Sequence, residues 1–271
     1  MKYIQAQFTG ETTEQNEIII AMLAEMGFEG FEENEGSLKA FIEEAKFDKA
    51  ALETLAANNN LVYALSEIEQ QNWNAEWESS FEPVIIGDFA AVRAGFHQPV
   101  SHVQHEIIIT PKMSFGTGHH ATTYLMMEQM SQLDFNGKAV LDFGTGTGVL
   151  AILAEKMGAS SVVAVDNDEW SIDNAKENIA NNNASHIALQ MAETILIDKK
   201  YDIILANINL NVILANMELI SEACNPGATV LLSGFLTADE TAIKRSLEAN
   251  KLVFKTVAQQ KDWICIKAER S

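Results

Sequence analysis

From Tyr3 to Phe8 the apolar residues Ile4, Ala6 and Phe8 alternate with their neighbours, the period-two signature of a strand with one buried face. The rhythm then changes. Ile19, Met22, Leu23 and Met26 fall at i, i+3, i+4 and i+7, so a helix follows, and Gly27 stands where a helix ends on a left-handed residue. The runs "FEGFEE" and "SLKAFI" flank Asn34 to Gly36, which reads as a hairpin turn. Asp48 is placed to cap a second helix carrying Ala51, Leu52 and Leu55, and "LVYALSEI" closes the series as a fourth strand. The order β-α-β-β-α-β is the split βαβ, or ferredoxin-like, pattern. No polar constellation converges in it. Residues 1–69 are therefore expected to form a small α+β substrate-recognition domain without chemistry of its own.

Residues 70–110 read as a linker with connecting strands. Trp73, Trp77 and Phe81 are spaced by four, which puts them on one helical stripe, either core packing or a docking surface. "PVIIGDFAAVRAGF" and "HEIIIT" read as strands leading onward. From 111 to 271 helices and strands alternate. The strands are "AVLDF", "SVVAVD", "IALQM", "YDIILAN", "ATVLLSGF", "LVFKTV" and "DWICIKA", with helices between the first six. This is an α/β, doubly wound domain with a mostly parallel sheet. Only "AQQK" joins the last two strands, so the final strand must run antiparallel.

A chain of 271 residues that is 47% apolar has room for one large and one small core. It contains no apolar run long enough to span a bilayer, and "MKYIQAQF" lacks the apolar core of a secretion signal. A cytoplasmic setting is expected, with no membrane partner. Cys224 and Cys265 are not in a CxxC and sit in apolar surroundings, so they read as buried hydrophobes. His102 and His105 would point to opposite faces of a strand, and no metal site is expected. The net charge of −20 argues against direct nucleic-acid binding, since no basic stripe is visible. Acidity serves solubility, or it draws a basic partner to the N-terminal domain.

The chemistry concentrates at "LDFGTGTGVLAI", where Gly144, Gly146 and Gly148 follow the first strand of the second domain. Glycine allows positive φ and lets a ligand approach bare main chain, and a helix N-terminus there favours an anionic group. A dinucleotide fingerprint would place its last small residue at 149, which is valine here; the spacing is G-x-G-x-G. "VVAVD" ends in Asp166, whose carboxylate can accept from two ribose hydroxyls or cap the following helix, although Asp168 is the better cap. Asn207, ending "YDIILAN", reaches the same crevice. It either presents a polar group to that crevice or caps the helix after it.

The glycine spacing matches motif I of the S-adenosylmethionine-dependent methyltransferases. Taken with "FGTGHHATT" (Phe115 to Thr123), "NWNAEWESSFEPVIIG" and "ANINLN", the chain resembles the bacterial ribosomal protein L11 methyltransferases over nearly its whole length. The resemblance implies a Rossmann-like methyltransferase sheet. It implies a cytoplasmic enzyme, expected to be a monomer, that moves methyl groups from S-adenosylmethionine to lysine and α-amino groups of a basic ribosomal protein. It also assigns cofactor binding to Thr123, Gly144, Gly146, Gly148, Asp166 and Asn207 and a covering loop to Phe115, Gly116, Thr117 and Gly118, with Asn207 catalytic. The sequence departs from the family pattern at Lys112, His119 and Ala121. Where many amino-group methyltransferases carry N/D-P-P-Y/F, this chain reads Asn207-Ile208-Asn209-Leu210. His120 contacts substrate or shapes the loop, and Thr122 and Thr123 are candidate caps for the helix after it. Two alternatives share the fold: a methyltransferase of another protein or a small amine, and a non-catalytic ribosome-assembly factor.

Overall fold

The computed structural model describes residues 2–9, 13–34, 37–69, 81–112, 115–195 and 199–271. The chain divides into two compact units, Met1–Ser80 and Phe81–Ser271. In the first, strands β1 (Lys2–Thr9), β2 (Gly30–Asn34), β3 (Ser37–Glu43) and β4 (Tyr63–Glu69) form an antiparallel sheet in the order β2-β3-β1-β4, the split βαβ arrangement. Helices α1 (Thr13–Glu25) and α2 (Lys49–Asn59) connect them. The alternating Ile4, Ala6 and Phe8 share one core with Leu38, Ala40, Ile42, Ile19, Leu23 and Leu52, so both helices cover the same face. Asp48 caps α2 by accepting from Ala51 N–H at 3.1 Å, and Gly27 takes φ +91° just past α1. Glu35 and Gly36 of the expected hairpin turn lie outside the described residues, as do Trp73 and Trp77.

The second unit is an α/β sandwich built on a seven-stranded sheet. Its strands are β8 (Ala139–Phe143), β9 (Ser161–Asp166), β10 (Ile187–Met191), β11 (Tyr201–Asn207), β12 (Cys224–Leu236), β13 (Leu252–Gln260) and β14 (Trp263–Arg270), in the order β10-β9-β8-β11-β12-β14-β13. The first five are parallel, and β14 runs antiparallel to both its neighbours, as the short connection requires. Successive strand residues feed two separate cores, which is why these strands read as continuous apolar runs. Val140, Val162, Ala164, Ile203 and Leu205 pack under α3 (Ala121–Met130) and α4 (Val149–Lys156). Leu141, Val163, Val165, Ile204 and Ala206 pack under α6 (Leu210–Ala223) and α7 (Glu240–Ala249). Helix α5 (Glu169–Asn181) follows β9 and starts at Asp168, which accepts from Ser171 N–H at 2.9 Å. Cys224 and Cys265 are free and buried, and burial pushes the Cys224 thiol up to about 11.

One boundary differs from expectation. Residues 81–110 are not a connector. They fold as β5 (Val84–Ile86), β6 (Ala90–Ala94) and β7 (His105–Ile109), and Ile86, Ala90, Val92, Ile107 and Ile109 belong to the same core as α3 and α4. Asparagines one turn apart at the C-terminal end of α5, Asn178 and the capping Asn182, bind the β7 segment. Asn182 accepts from Ile108 N–H at 3.0 Å and donates to its carbonyl, and Asn178 accepts from Thr110 N–H at 2.7 Å. These amides satisfy backbone groups that another strand would otherwise pair.

Candidate active site

Strand order reverses between β8 and β11, and the crevice at their carboxyl ends is where such sheets bind ligands. A cavity of about 460 Å³ opens there, within the range of small-molecule sites. Its floor is the glycine turn. Gly144 and Thr145 N–H both donate to the Val165 carbonyl, at 2.8 and 2.9 Å, which folds the turn onto the end of β9. Gly144, Gly146 and Gly148 all have positive φ. Asp166 borders the cavity with its carboxylate fixed by two main-chain donors, Gly146 N–H at 2.8 Å and Asp168 N–H at 3.1 Å. Below the turn, Asp142 is wholly buried and accepts from Thr145 Oγ1 at 2.6 Å. Burial pushes its carboxyl up to about 7.

The Phe115 segment is fastened to this turn. Thr147 N–H donates to the Phe115 carbonyl at 3.0 Å, and Thr147 Oγ1 donates to the Gly116 carbonyl at 2.6 Å. Gly146 makes the approach possible, because a Cβ there would overlap the Phe115 carbonyl oxygen. The half-exposed Phe115 ring stands against His120, 5.2 Å between centroids, and His120 against Trp263, 4.6 Å, forming an aromatic wall. His120 also caps α3, its Nδ1 accepting from Thr122 N–H at 3.3 Å. Thr122 Oγ1 lies 2.8 Å from the same nitrogen.

Asn207 reaches the cavity from β11. Its Nδ2 donates to Thr123 Oγ1 at 3.2 Å, while its buried Oδ1 has no hydrogen-bond partner. It is not the helix cap: Asn209 caps α6, accepting from Val212 N–H at 3.1 Å. An orphaned acceptor of this kind costs roughly 1–3 kcal/mol unless a ligand donates to it.

Of the residues assigned in the sequence to the cofactor, its covering loop or catalysis, Phe115, Gly144, Gly146, Asp166 and Asn207 line the cavity. The others do not. Thr123 lies fully buried behind Asn207. Gly116 and Thr117 stand in the loop, with Thr117 Oγ1 3.1 Å from His119 Nδ1. Gly148 faces α5, where a Cβ would come 3.3 Å from that of Ala175; it serves helix packing. The cavity also recruits Ile208, next to Asn207, and Glu193, Gly234 and Trp263, which carry no local motif.

Comparison with known proteins gives the same picture along the whole chain. The profile of the family described as ribosomal protein L11 methyltransferase (PrmA) matches residues 5–271. A ribosomal protein L11 methyltransferase of Phocaeicola vulgatus is 37% identical over 98% of this chain and 99% of its own length. One from Porphyromonas gingivalis is 40% identical over 93% of this chain and 89% of its own. The crystal structure of ribosomal protein L11 methylase from Lactobacillus delbrueckii subsp. bulgaricus superposes with a TM-score of 0.66 at 30% identity, covering 70% of this chain and all of that one. This chain belongs to the ribosomal protein L11 methyltransferase family.

Proposed function

We propose that this protein is an S-adenosylmethionine-dependent N-methyltransferase that modifies lysine and α-amino groups of ribosomal protein L11 in the cytoplasm, working as a monomer. The observation that carries the reading is Asn207, whose buried Oδ1 has no partner, on the wall of a cavity floored by bare glycine main chain.

The residues present fit the cofactor. Gly144 and Gly146 would admit it against the main chain, and Asp166 would accept from its ribose hydroxyls. The positive end of α4 would face its carboxylate. When bound, S-adenosylmethionine supplies a methyl group activated on a sulfonium sulfur.

The chain's own residues then have three tasks. The first is to orient the acceptor amide. By accepting from Asn207 Nδ2, Thr123 leaves Oδ1 as the amide group free to receive an amine N–H. The second is to favour the neutral amine. A free lysine has a pKa of ~10.4, and walls such as Phe115, Phe143, Val212 and Trp263 disfavour its charged form. The third is to align the lone pair. Alignment of this kind accounts for roughly 7–11 kcal/mol in favourable cases. His120 shapes the wall, its ring set between Phe115 and Trp263 and its Nδ1 held at Thr122.

The test is mass spectrometry of purified L11 incubated with this protein and S-adenosylmethionine. Whole-methyl mass increments on lysine and α-amino groups are expected, and Asn207→Ala should abolish them. Unmodified L11 beside methylation of another protein or a small amine would overturn the reading.

A further inference from the structure

The backbone that presents Asn207 lacks the two prolines that stiffen this segment in many amino-group methyltransferases, so its rigidity must come from packing. Ile208 provides the contacts. On one side lies Gly234 of β12, with φ +99°. A Cβ on Gly234 would overlap the Ile208 carbonyl oxygen and approach its carbonyl carbon to 2.7 Å and its nitrogen to 2.9 Å. The Ile208 peptide therefore lies flat against bare main chain. Its N–H donates to the Ser233 carbonyl at 3.2 Å on the same stretch. On the other side, Cγ2 of Ile208 fills the space that a Cβ on Gly144 would take. Ile208 is a wedge between two glycines, and all three residues line the cavity.

We infer that Ile208 is a positioning residue: its Cγ2 branch, seated in the notch over Gly144, holds the peptide that aims Asn207 Oδ1 at the incoming amine. The inference rests on the function proposed above and extends it to the residue that sets the acceptor's direction. It also gives the glycine turn a second task. The same Gly144 that admits the cofactor leaves room for the branch that fixes the amine acceptor, so the two halves of the site are registered through one contact. The element that matters is the branch at Cβ, not side-chain volume. Valine keeps a γ carbon at that place. Leucine preserves the volume but lacks the branch, and alanine lacks both.

The experiment compares Ile208→Val, Ile208→Leu and Ile208→Ala with the wild type. It reads kcat and KM for L11, calorimetric S-adenosylmethionine affinity, and the urea midpoint. Misplacement by about 1 Å costs on the order of 100-fold in rate, so a partial loss of seating should lower kcat about 10-fold or more in the Leu and Ala variants. Ile208→Val should retain a higher kcat than either, and the losses should fall on kcat more than on KM. A Leu variant as active as the Val variant, or more so, overturns the inference, because volume would then suffice. Should the Leu variant not fold, the contrast between the Ala and Val variants decides in the same way. A wild type that neither binds S-adenosylmethionine nor methylates L11 sinks the proposed function instead, and the calorimetry identifies that case.

Discussion

Gly146→Ala is the substitution for which the structure yields the most explicit magnitude. Gly146 has φ +54°, and a left-handed non-glycine residue costs roughly 1–2 kcal/mol. A second cost is local. The new Cβ would overlap the Phe115 carbonyl oxygen, a backbone atom that no rotamer change can move aside. Displacing the Phe115 segment breaks the hydrogen bonds from Thr147 N–H at 3.0 Å and Thr147 Oγ1 at 2.6 Å, each worth about 0.5–1.5 kcal/mol net. The total is about 2–5 kcal/mol. Gly137→Ala supplies the control: φ is +71° there, but nothing lies within 4 Å of the new Cβ, so only the backbone cost of about 1–2 kcal/mol applies. The excess at Gly146, about 1–3 kcal/mol, falls on the cavity wall and should weaken S-adenosylmethionine binding about 5- to 150-fold. Gly137→Ala should leave binding unchanged. Urea denaturation and titration calorimetry of both variants read the two quantities. Equal stability losses with equal affinities would refute the reasoning, because the collision with Phe115 would then have no consequence.

Thr147→Val removes the donor to the Gly116 carbonyl while keeping the side chain's shape, and should weaken cofactor binding about 2- to 10-fold, with Thr147→Ser recovering most of the loss; calorimetry checks both. Asp142 titrates near pH 7 when folded, against an ordinary value of 3.8. Between these values the unfolded chain has released the proton that the folded chain still holds, so this group's contribution to stability falls as pH rises from about 4 to 7. Asp142→Asn should flatten that slope, gaining on the order of 4 kcal/mol over the wild type between pH 4 and 8 in urea denaturation, whereas a pH-independent difference would contradict the assignment. Asn178→Ala leaves Thr110 N–H and the Thr147 carbonyl without their amide partner and should cost about 2–4 kcal/mol of stability, measured the same way.

The large sheet was legible because its central strands β8, β9 and β11 are buried on both faces and so read as apolar runs, and the caps were legible because Asp48 and Asp168 bond within one turn of themselves. What escaped is what tertiary contact decides. Strands β5 to β7 have three to five residues each, too short for a period to declare which core they join. Thr123 is named by the motif near it, but that it orients Asn207 depends on a contact across 84 positions. Gly148 looks like its two companions in the sequence, yet its backbone φ of +81° and its contact with α5, not the cavity, set its need for glycine. Trp263 and Gly234 carry no local signal, because their meaning arises only when β12 and β14 are brought together with β8 and β11.

The claim under everything else is that the cleft floored by Gly144 and bordered by Asp166 receives S-adenosylmethionine. Titration calorimetry of the purified protein with that compound, and separately with a nicotinamide dinucleotide, tests it most directly. One saturable S-adenosylmethionine site is expected, weakened about 10-fold or more in Asp166→Ala by the loss of charge-assisted hydrogen bonds, with no heat from the dinucleotide. Uptake of the dinucleotide with indifference to S-adenosylmethionine would contradict the account.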